Sequence, residues 1–440
     1  HRRQPPDPDS IVVTGARVTG CEGGVAVDRS NLIRTIPALG MAAGSGTSQM
    51  ETSQADNRNE DDFDVVVVGA GIIGLSCAWE LHNRGASVIV LDASKPGSGT
   101  TRVAAGMLAP VGELDFGEPA LLEMNLISAG QYPEFVSSVE RCCGGVIGYR
   151  RMGGLHVALD RDEAAGLKRS HGLQLDSGLA SEWLGPQAAR DLEPGLAPNL
   201  TGAINVPDDG AVDPRVLVSG LLEALKAEGV PVRSGIEVTG LKRSHGRVES
   251  VELADGSKLR ARTVVAAVGA RSGEAAWLPA DCRPPVRPVK GQVLELRGDP
   301  GDPVCGRILA SERVYIVPRR DGRLIIGATS EEMGFDTTVT AGGVHELLRE
   351  AYRLLPDVAE LEFIEATAGL RPATPDNLPV VGATAVEGLL IATGHYRNGI
   401  LLAPLTARAI ADLSEGATVT GPMTGADPSR FRERDLAVTR

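Results

Sequence analysis

No Cys-x-x-Cys pair occurs among the six cysteines (Cys21, Cys77, Cys142, Cys143, Cys282 and Cys305), and they are too sparse for a disulfide framework, so a reduced cytosol fits best. The seven histidines are scattered without paired ligand spacing, and no metal site is expected. Clusters of Lys and Arg are also missing. With 44 basic against 57 acidic residues the net charge is -13, which argues against nucleic acid and anionic membranes as partners. One run, Val65 to Leu81, is apolar enough to resemble a membrane span. It has only 17 residues and holds three glycines, so no membrane span is expected. What is present is ample apolar material: 42% of 440 residues, enough for a real core and two or three domains.

Residues 1 to about 60 stand apart. They begin with His and are rich in Gly, Ser, Thr, Asn and Asp. The apolar patch Ile33 to Ala43 is too short and interrupted for a signal sequence, and Met41 and Met50 are both candidate starts. The segment 1–60 reads as disordered or as a non-native extension.

The most informative stretch follows. Val65 to Val68 make a buried strand; Gly69, Gly71 and Gly74 turn it into a helix reaching about Arg84; Val88 to Leu91 make a second strand ending on Asp92. The glycines serve a tight turn, close approach of backbone to a pyrophosphate, and close packing of helix on strand. The helix N-terminus, around Ile72 and Ile73, offers free N–H groups and a positive dipole end to phosphates. Asp92 lies 18 residues beyond Gly74, placed to accept a ribose 2′-OH and to repel a 2′-phosphate. A lone glycine fingerprint is weak, but strand, loop, helix, strand and acid in one unit point strongly to an adenine dinucleotide.

Further apolar strands occur at Thr263 to Val268 and Leu389 to Thr393, the latter leading through a Gly394 to Gly399 loop into a helix from about Ile400 to Leu413. Asp213-Pro214 caps and starts another helix, which Gly229 ends. Residues 286–296 and 313–328 alternate as antiparallel strands with a tight turn at Arg320-Asp321-Gly322. Dinucleotide-type strands at the start, middle and end can share one sheet only if that domain is discontinuous. The expected class is therefore α/β, with a discontinuous Rossmann-like domain and an antiparallel-sheet (α+β) second domain. A ligand is expected where the two meet, at the carboxyl ends of the parallel strands.

Several motifs carry a resemblance: Thr100-Thr101-Arg102-Val103-Ala104-Ala105-Gly106-Met107-Leu108, Arg287-Pro288-Val289-Lys290-Gly291-Gln292, Gly369-Leu370-Arg371-Pro372 followed by Thr374-Pro375-Asp376, and Gly394-His395-Tyr396-Arg397-Asn398-Gly399-Ile400. With the dinucleotide unit, the chain from about 62 to 416 resembles the FAD-dependent D-amino-acid oxidase superfamily, within it the glycine oxidases of bacterial thiamin biosynthesis. The resemblance implies an FAD-binding domain at 62–148, 208–284 and 366–416, a substrate domain at 149–207 and 285–365, and a tail at 417–440. It places Arg371 on the substrate carboxylate, where a planar guanidinium can hold both oxygens; an Arg tied to a neighbouring Asp or carbonyl is the alternative. Tyr315 aligns with a substrate-site tyrosine, with a satisfied core tyrosine as the other reading.

By the same resemblance His395, Tyr396, Arg397, Asn398, Gly399, Ile400 and Leu401 line the flavin, and Arg397 also reaches the substrate; a solvated loop charge is the lesser alternative for it. Ala105, Gly106 and Met107 match the small-residue loop against the flavin ring, and Val238 a backbone contact on the adenine side. Asp92 and Ala93 match the ribose end. Thr100 and Thr101 match a phosphate or ribitol contact, though by themselves they read as turn formers. No cysteine follows Cys305, so by comparison with the sarcosine oxidase type the FAD is expected to be non-covalent. Ser330 stands where some glycine oxidases carry Met, a change that touches substrate breadth. The implied activity is oxidation of glycine, sarcosine or D-alanine by O2 in a cytoplasmic homo-oligomer. The alternatives are a D-amino-acid or sarcosine dehydrogenase that passes electrons to a quinone or carrier protein, and a non-catalytic FAD-binding module.

Overall fold

Four consecutive valines, Val65 to Val68, are each 6% exposed or less at the centre of the strand Asp62–Val68. Val65 and Val67 pack into one apolar cluster with residues of the helices Ile72–Asn83, Pro119–Cys143, Pro214–Ala227 and Ala403–Ser414. Val66 and Val68 point the other way, into a second cluster. A parallel strand buried on both faces reads as a continuous apolar run. Each such side chain contributes about 1.5–3 kcal/mol by leaving water.

This computed structural model describes residues 62–114 and 117–431. The chain divides into units 1–57 and 58–440, and every described residue belongs to the second. The segment 1–60, expected to be disordered or non-native, and residues 432–440 of the expected tail lie outside the described residues.

One sheet runs Val238–Ser244, Arg247–Leu253, Lys258–Ala266, Asp62–Val68, Val88–Asp92, Val232–Ser234, with Leu389–Thr393 also on Lys258–Ala266 and Val380–Ala383 beside it. Asp62–Val68 is parallel to both neighbours, and Leu389–Thr393 is parallel to Lys258–Ala266. Strands from the beginning, middle and end of the sequence thus share one sheet. A second sheet runs Glu362–Ala373, Arg287–Arg297, Arg323–Gly327, Tyr315–Pro318, Ile308–Ala310, Gly154–Ala158, Gly202–Val206, Glu182–Leu184. Its pairings are antiparallel apart from Ile308–Ala310 beside Gly154–Ala158. The helix Pro214–Ala227 starts as its sequence dictates: the Asp213 carboxylate accepts from the amides of Arg215 and Val216, and Pro214 opens the first turn.

Four local expectations need correcting. The strand Glu362–Ala373 pairs along its whole length with Arg287–Arg297, so a boundary at 366 cuts through it; the chain leaves the antiparallel sheet only after Ala373. The helix expected from Ile400 begins at Ala403, with Pro404 in its first turn, and Thr100 and Thr101 open a short helix rather than a turn. The segment expected as a tail is docked over its described part: Arg430 reaches both carboxylate oxygens of Asp376 at 3.0 and 3.1 Å and the Leu378 carbonyl at 3.0 Å.

Candidate active site

The nucleotide end is built by close backbone approach. Gly69 has φ of 107°, and a Cβ there would lie 2.4 Å from the Ala267 carbonyl oxygen. A Cβ on Gly74 would lie 1.8 Å from the oxygen of Gly69, so both positions exclude any side chain. Gly71 caps the helix Ile72–Asn83, with Ile72 buried and Ile73 half-buried behind it. The Ile72 amide donates to the Thr101 hydroxyl at 3.1 Å, and the Ala70 and Ser94 amides donate to the two Asp92 oxygens at 2.7 Å each. Asp92 is half-buried and Ala93 exposed, which leaves the carboxylate's remaining lone pairs open to a ribose. The Ile236 amide donates to the Asp92 carbonyl at 2.9 Å, bringing the segment leading to Val238 beside this end; Val238 is 6% exposed.

The small-residue loop comes next. Gly106 has φ of 70°, and a Cβ there would meet the Val212 carbonyl oxygen at 2.0 Å. The Val212 amide in turn donates to the Gly106 carbonyl at 2.9 Å, and Met107 pairs with Ala211. Ala105 is 6% exposed. The guanidinium of Arg319 donates to the carbonyls of both Ala105 and Val212, pinning the loop from the antiparallel sheet. Burial lowers the Arg319 pKa to about 10, so it stays charged near neutrality. Sequence reading gave Arg319 no role.

The second loop, 394–401, is held from several sides. Gly394 and Tyr396 adopt left-handed backbone, φ 75° and 45°, and the Tyr396 amide donates to the Pro372 carbonyl at 2.9 Å. His395 is 2% exposed, its Nε2 lies 2.8 Å from the Thr406 hydroxyl, and its Nδ1 has no partner among the described residues. Burial depresses its pKa to about 3, so the imidazole is neutral. Asn125 reaches Asn398, Ser128 donates to the Leu401 carbonyl at 2.6 Å and Tyr132 to that of Ile400 at 2.9 Å. Gly399 and these carbonyls lead directly into the helix Ala403–Ser414.

Arg371, Tyr315 and Arg397, expected from distant motifs, come together. Arg371 Nη1 donates to the Thr329 carbonyl at 3.0 Å and, more weakly, to that of Lys290 at 3.4 Å. Its guanidinium lies where a side chain on Gly291 would be, 2.3–2.5 Å from the position of such a Cβ. Among the described residues no carboxylate is within ion-pairing distance of it. Tyr315 lies over Gly327 in the same way. Burial raises the pKa of Tyr315, with Arg371 and Arg397 opposing and Glu113 adding to the rise; its hydroxyl is neutral and free to donate. Thr100 donates to the Leu370 carbonyl, next to Arg371.

Glu113, which sequence reading missed, faces Arg397 at 3.4 Å and holds that guanidinium more firmly charged. The turn before it is fixed by Asp209, 1% exposed, which accepts from the amides of Val111 and Gly112, and by Gln174, which donates to the Val111 carbonyl. Burial raises the Asp209 pKa. No sequence signal links residue 113 to residue 397.

A glycine-tight dinucleotide turn on a parallel sheet, with two loops and an arginine–tyrosine cluster presented toward it from an antiparallel sheet, defines a two-sheet nucleotide-binding oxidoreductase. Residues 64–413 match the family model "FAD dependent oxidoreductase", and the chain belongs to that family. It is 39% identical over 352 residues to the "Bifunctional protein ThiO/ThiG" of Trichormus variabilis, covering 79% of this chain and 52% of that protein. The chain therefore spans about half the length of the ThiO/ThiG relatives it matches. It is 36% identical to the "Glycine oxidase" of Geobacillus kaustophilus over 80% of this chain and 93% of that one. The crystal structure of that organism's glycine oxidase superposes with a TM-score of 0.79 at 33% identity, covering 84% and 99% of the two chains.

The residues fit FAD: the turn at Gly69 and Gly74 excludes side chains and so lets backbone approach a pyrophosphate, the half-buried Asp92 has lone pairs left for a ribose, and the buried His395 Nδ1 is without a partner among the described residues. Among the described residues no helix is long and apolar enough to cross a membrane, and no group of His, Cys, Asp and Glu could hold a metal.

Proposed function

We propose that the protein is an FAD-dependent oxidase of glycine and small amino acids such as sarcosine and D-alanine. On this reading it uses O2, works in the cytoplasm as a homo-oligomer, and supplies thiamin thiazole synthesis. The observation that carries the reading is Arg371, a guanidinium fixed by backbone carbonyls with no carboxylate partner among the described residues. The names of the similar glycine oxidases and ThiO/ThiG proteins support the substrate and the pathway.

FAD, which the residues of the two loops would hold, would supply the acceptor for a Cα hydride and pass the two electrons on to dioxygen as hydrogen peroxide. Arg371 pairs with the substrate carboxylate and fixes the position of Cα. Tyr315, neutral and half-buried, donates a further hydrogen bond to that carboxylate. The neutral amine supplies its own lone pair, so no side-chain base is needed. The imine is hydrolysed to the 2-oxo acid and ammonia, or consumed directly. Glycine added to the FAD-loaded protein in air should release one peroxide per glyoxylate; a loaded protein that makes none refutes the substrate assignment. Arg371→Lys should raise KM strongly with FAD still bound, because an ammonium cannot form the paired contacts.

A further inference from the structure

Glu113 is the one carboxylate beside the two arginines in the described site, and the fold takes trouble to place it. Its amide donates to the Ala109 carbonyl at 3.1 Å, and the two preceding residues are tied to the buried Asp209. The turn continues directly from Met107–Leu108, so the carboxylate is set by the same loop that lies against the ring site. Oε1 faces Arg397 at 3.4 Å, a loose contact, and among the described residues Oε2 has no hydrogen-bond partner. The side chain is 19% exposed.

Charge explains why an acid belongs there. Arg371 and Arg397 alone would make a doubly positive site suited to dianions. With Glu113 the cluster combines Arg371, a cation with no carboxylate partner among the described residues, with an acid that lies on Arg397 at 3.4 Å and, like Arg371, acts on Tyr315, the charge pairing of an α-amino acid zwitterion. Resting on the amino-acid oxidase reading, we propose that Glu113 is the specificity-determining residue for the substrate amine. It accepts a hydrogen bond from the amino group of a molecule whose carboxylate sits on Arg371, from the ammonium on entry and from the neutral amine once the proton has left to solvent, and so selects amino acids over amine-free acids of the same size. A carboxylate–ammonium contact in a partly buried site is a charge-assisted hydrogen bond, whereas a hydroxyl in the same place gains little from it.

The test compares glycine with glycolate, which differ only in amine against hydroxyl. In the FAD-loaded protein, Glu113→Gln should raise the KM for glycine about 10- to 100-fold. The Kd for glycolate, read from the change in the visible flavin spectrum, should stay the same or tighten. Glu113→Asp, which keeps the charge, should restore much of the discrimination, and Glu113→Ala should lose it as Gln does. If glycine and glycolate shift by the same factor in Glu113→Gln, the residue merely neutralises Arg397 and the proposal falls. A native protein that neither oxidises glycine nor binds glycolate overturns the amino-acid oxidase assignment itself, a different result.

Discussion

Adding one methyl group at Gly291 should disable Arg371, the arginine proposed for the substrate carboxylate, without removing any charge. Gly291 lies mid-strand, paired with Gly369, and its backbone is not left-handed, so alanine can be accommodated there. The new Cβ would sit 2.3, 2.4 and 2.5 Å from Nη1, Nη2 and Cζ of Arg371. To reach an ordinary contact of ~3.5 Å the guanidinium must move by about 1 Å. That movement breaks the alignment of Nη1 with the Thr329 carbonyl and tilts the fork away from a carboxylate. Losing one charged hydrogen bond costs about 1.5–3 kcal/mol, which at about 1.4 kcal/mol per decade is roughly a 10- to 150-fold rise in KM for glycine. The clash falls on the end of a flexible side chain, and Gly→Ala restricts the unfolded chain by about 0.4–1 kcal/mol, so the melting temperature should stay within a few degrees. Steady-state kinetics of the FAD-loaded variant, with a thermal melt as control, measure both quantities. A KM within threefold of the parent at an unchanged melt would refute the assignment of Arg371.

The other predictions concern the cofactor end. Gly74→Ala puts a Cβ into the backbone oxygen of Gly69 at 1.8 Å, so the turn must open; FAD affinity by equilibrium dialysis should fall at least about tenfold, and tight retention would show that this turn is not the pyrophosphate site. His395 has a folded pKa of about 3 against 6.5 for the free group, so the folded state binds fewer protons between those values. The stability it permits is fully present above about pH 6.5 and is lost as pH falls toward 3, at up to about 1.4 kcal/mol per unit. His395→Gln should flatten that acid limb in denaturant titrations at pH 7 and 5, and an unchanged slope would mean the imidazole titrates normally in the folded protein.

The dinucleotide unit was legible because its constraints are local: Gly74 answers to the carbonyl of Gly69 and Gly69 to the end of the adjacent strand. Arg371, Tyr315 and Arg397 were reachable through the motifs around them. Glu113 was not, because its partner lies 284 positions away and nothing in Pro110-Val111-Gly112-Glu113 marks it. Arg319 escaped for the same reason: it binds backbone carbonyls, which leave no complementary residue in the sequence. The boundary at 366 failed because Ala366 to Ala373 shows no alternation, and its place in the antiparallel sheet is set by the partner strand Arg287–Arg297. The start of the last helix had a signal that went unused, Pro404 in its first turn.

The stretch bearing Arg371 is stapled on both flanks by the loops of the other sheet: Thr100 holds the Leu370 carbonyl, and the Tyr396 amide holds that of Pro372. Filling either compartment therefore stiffens the wall it shares with the other. Reciprocity then requires that whatever gain in coenzyme affinity comes from a small acid lodged on the arginine equal the gain in acid affinity that the coenzyme confers.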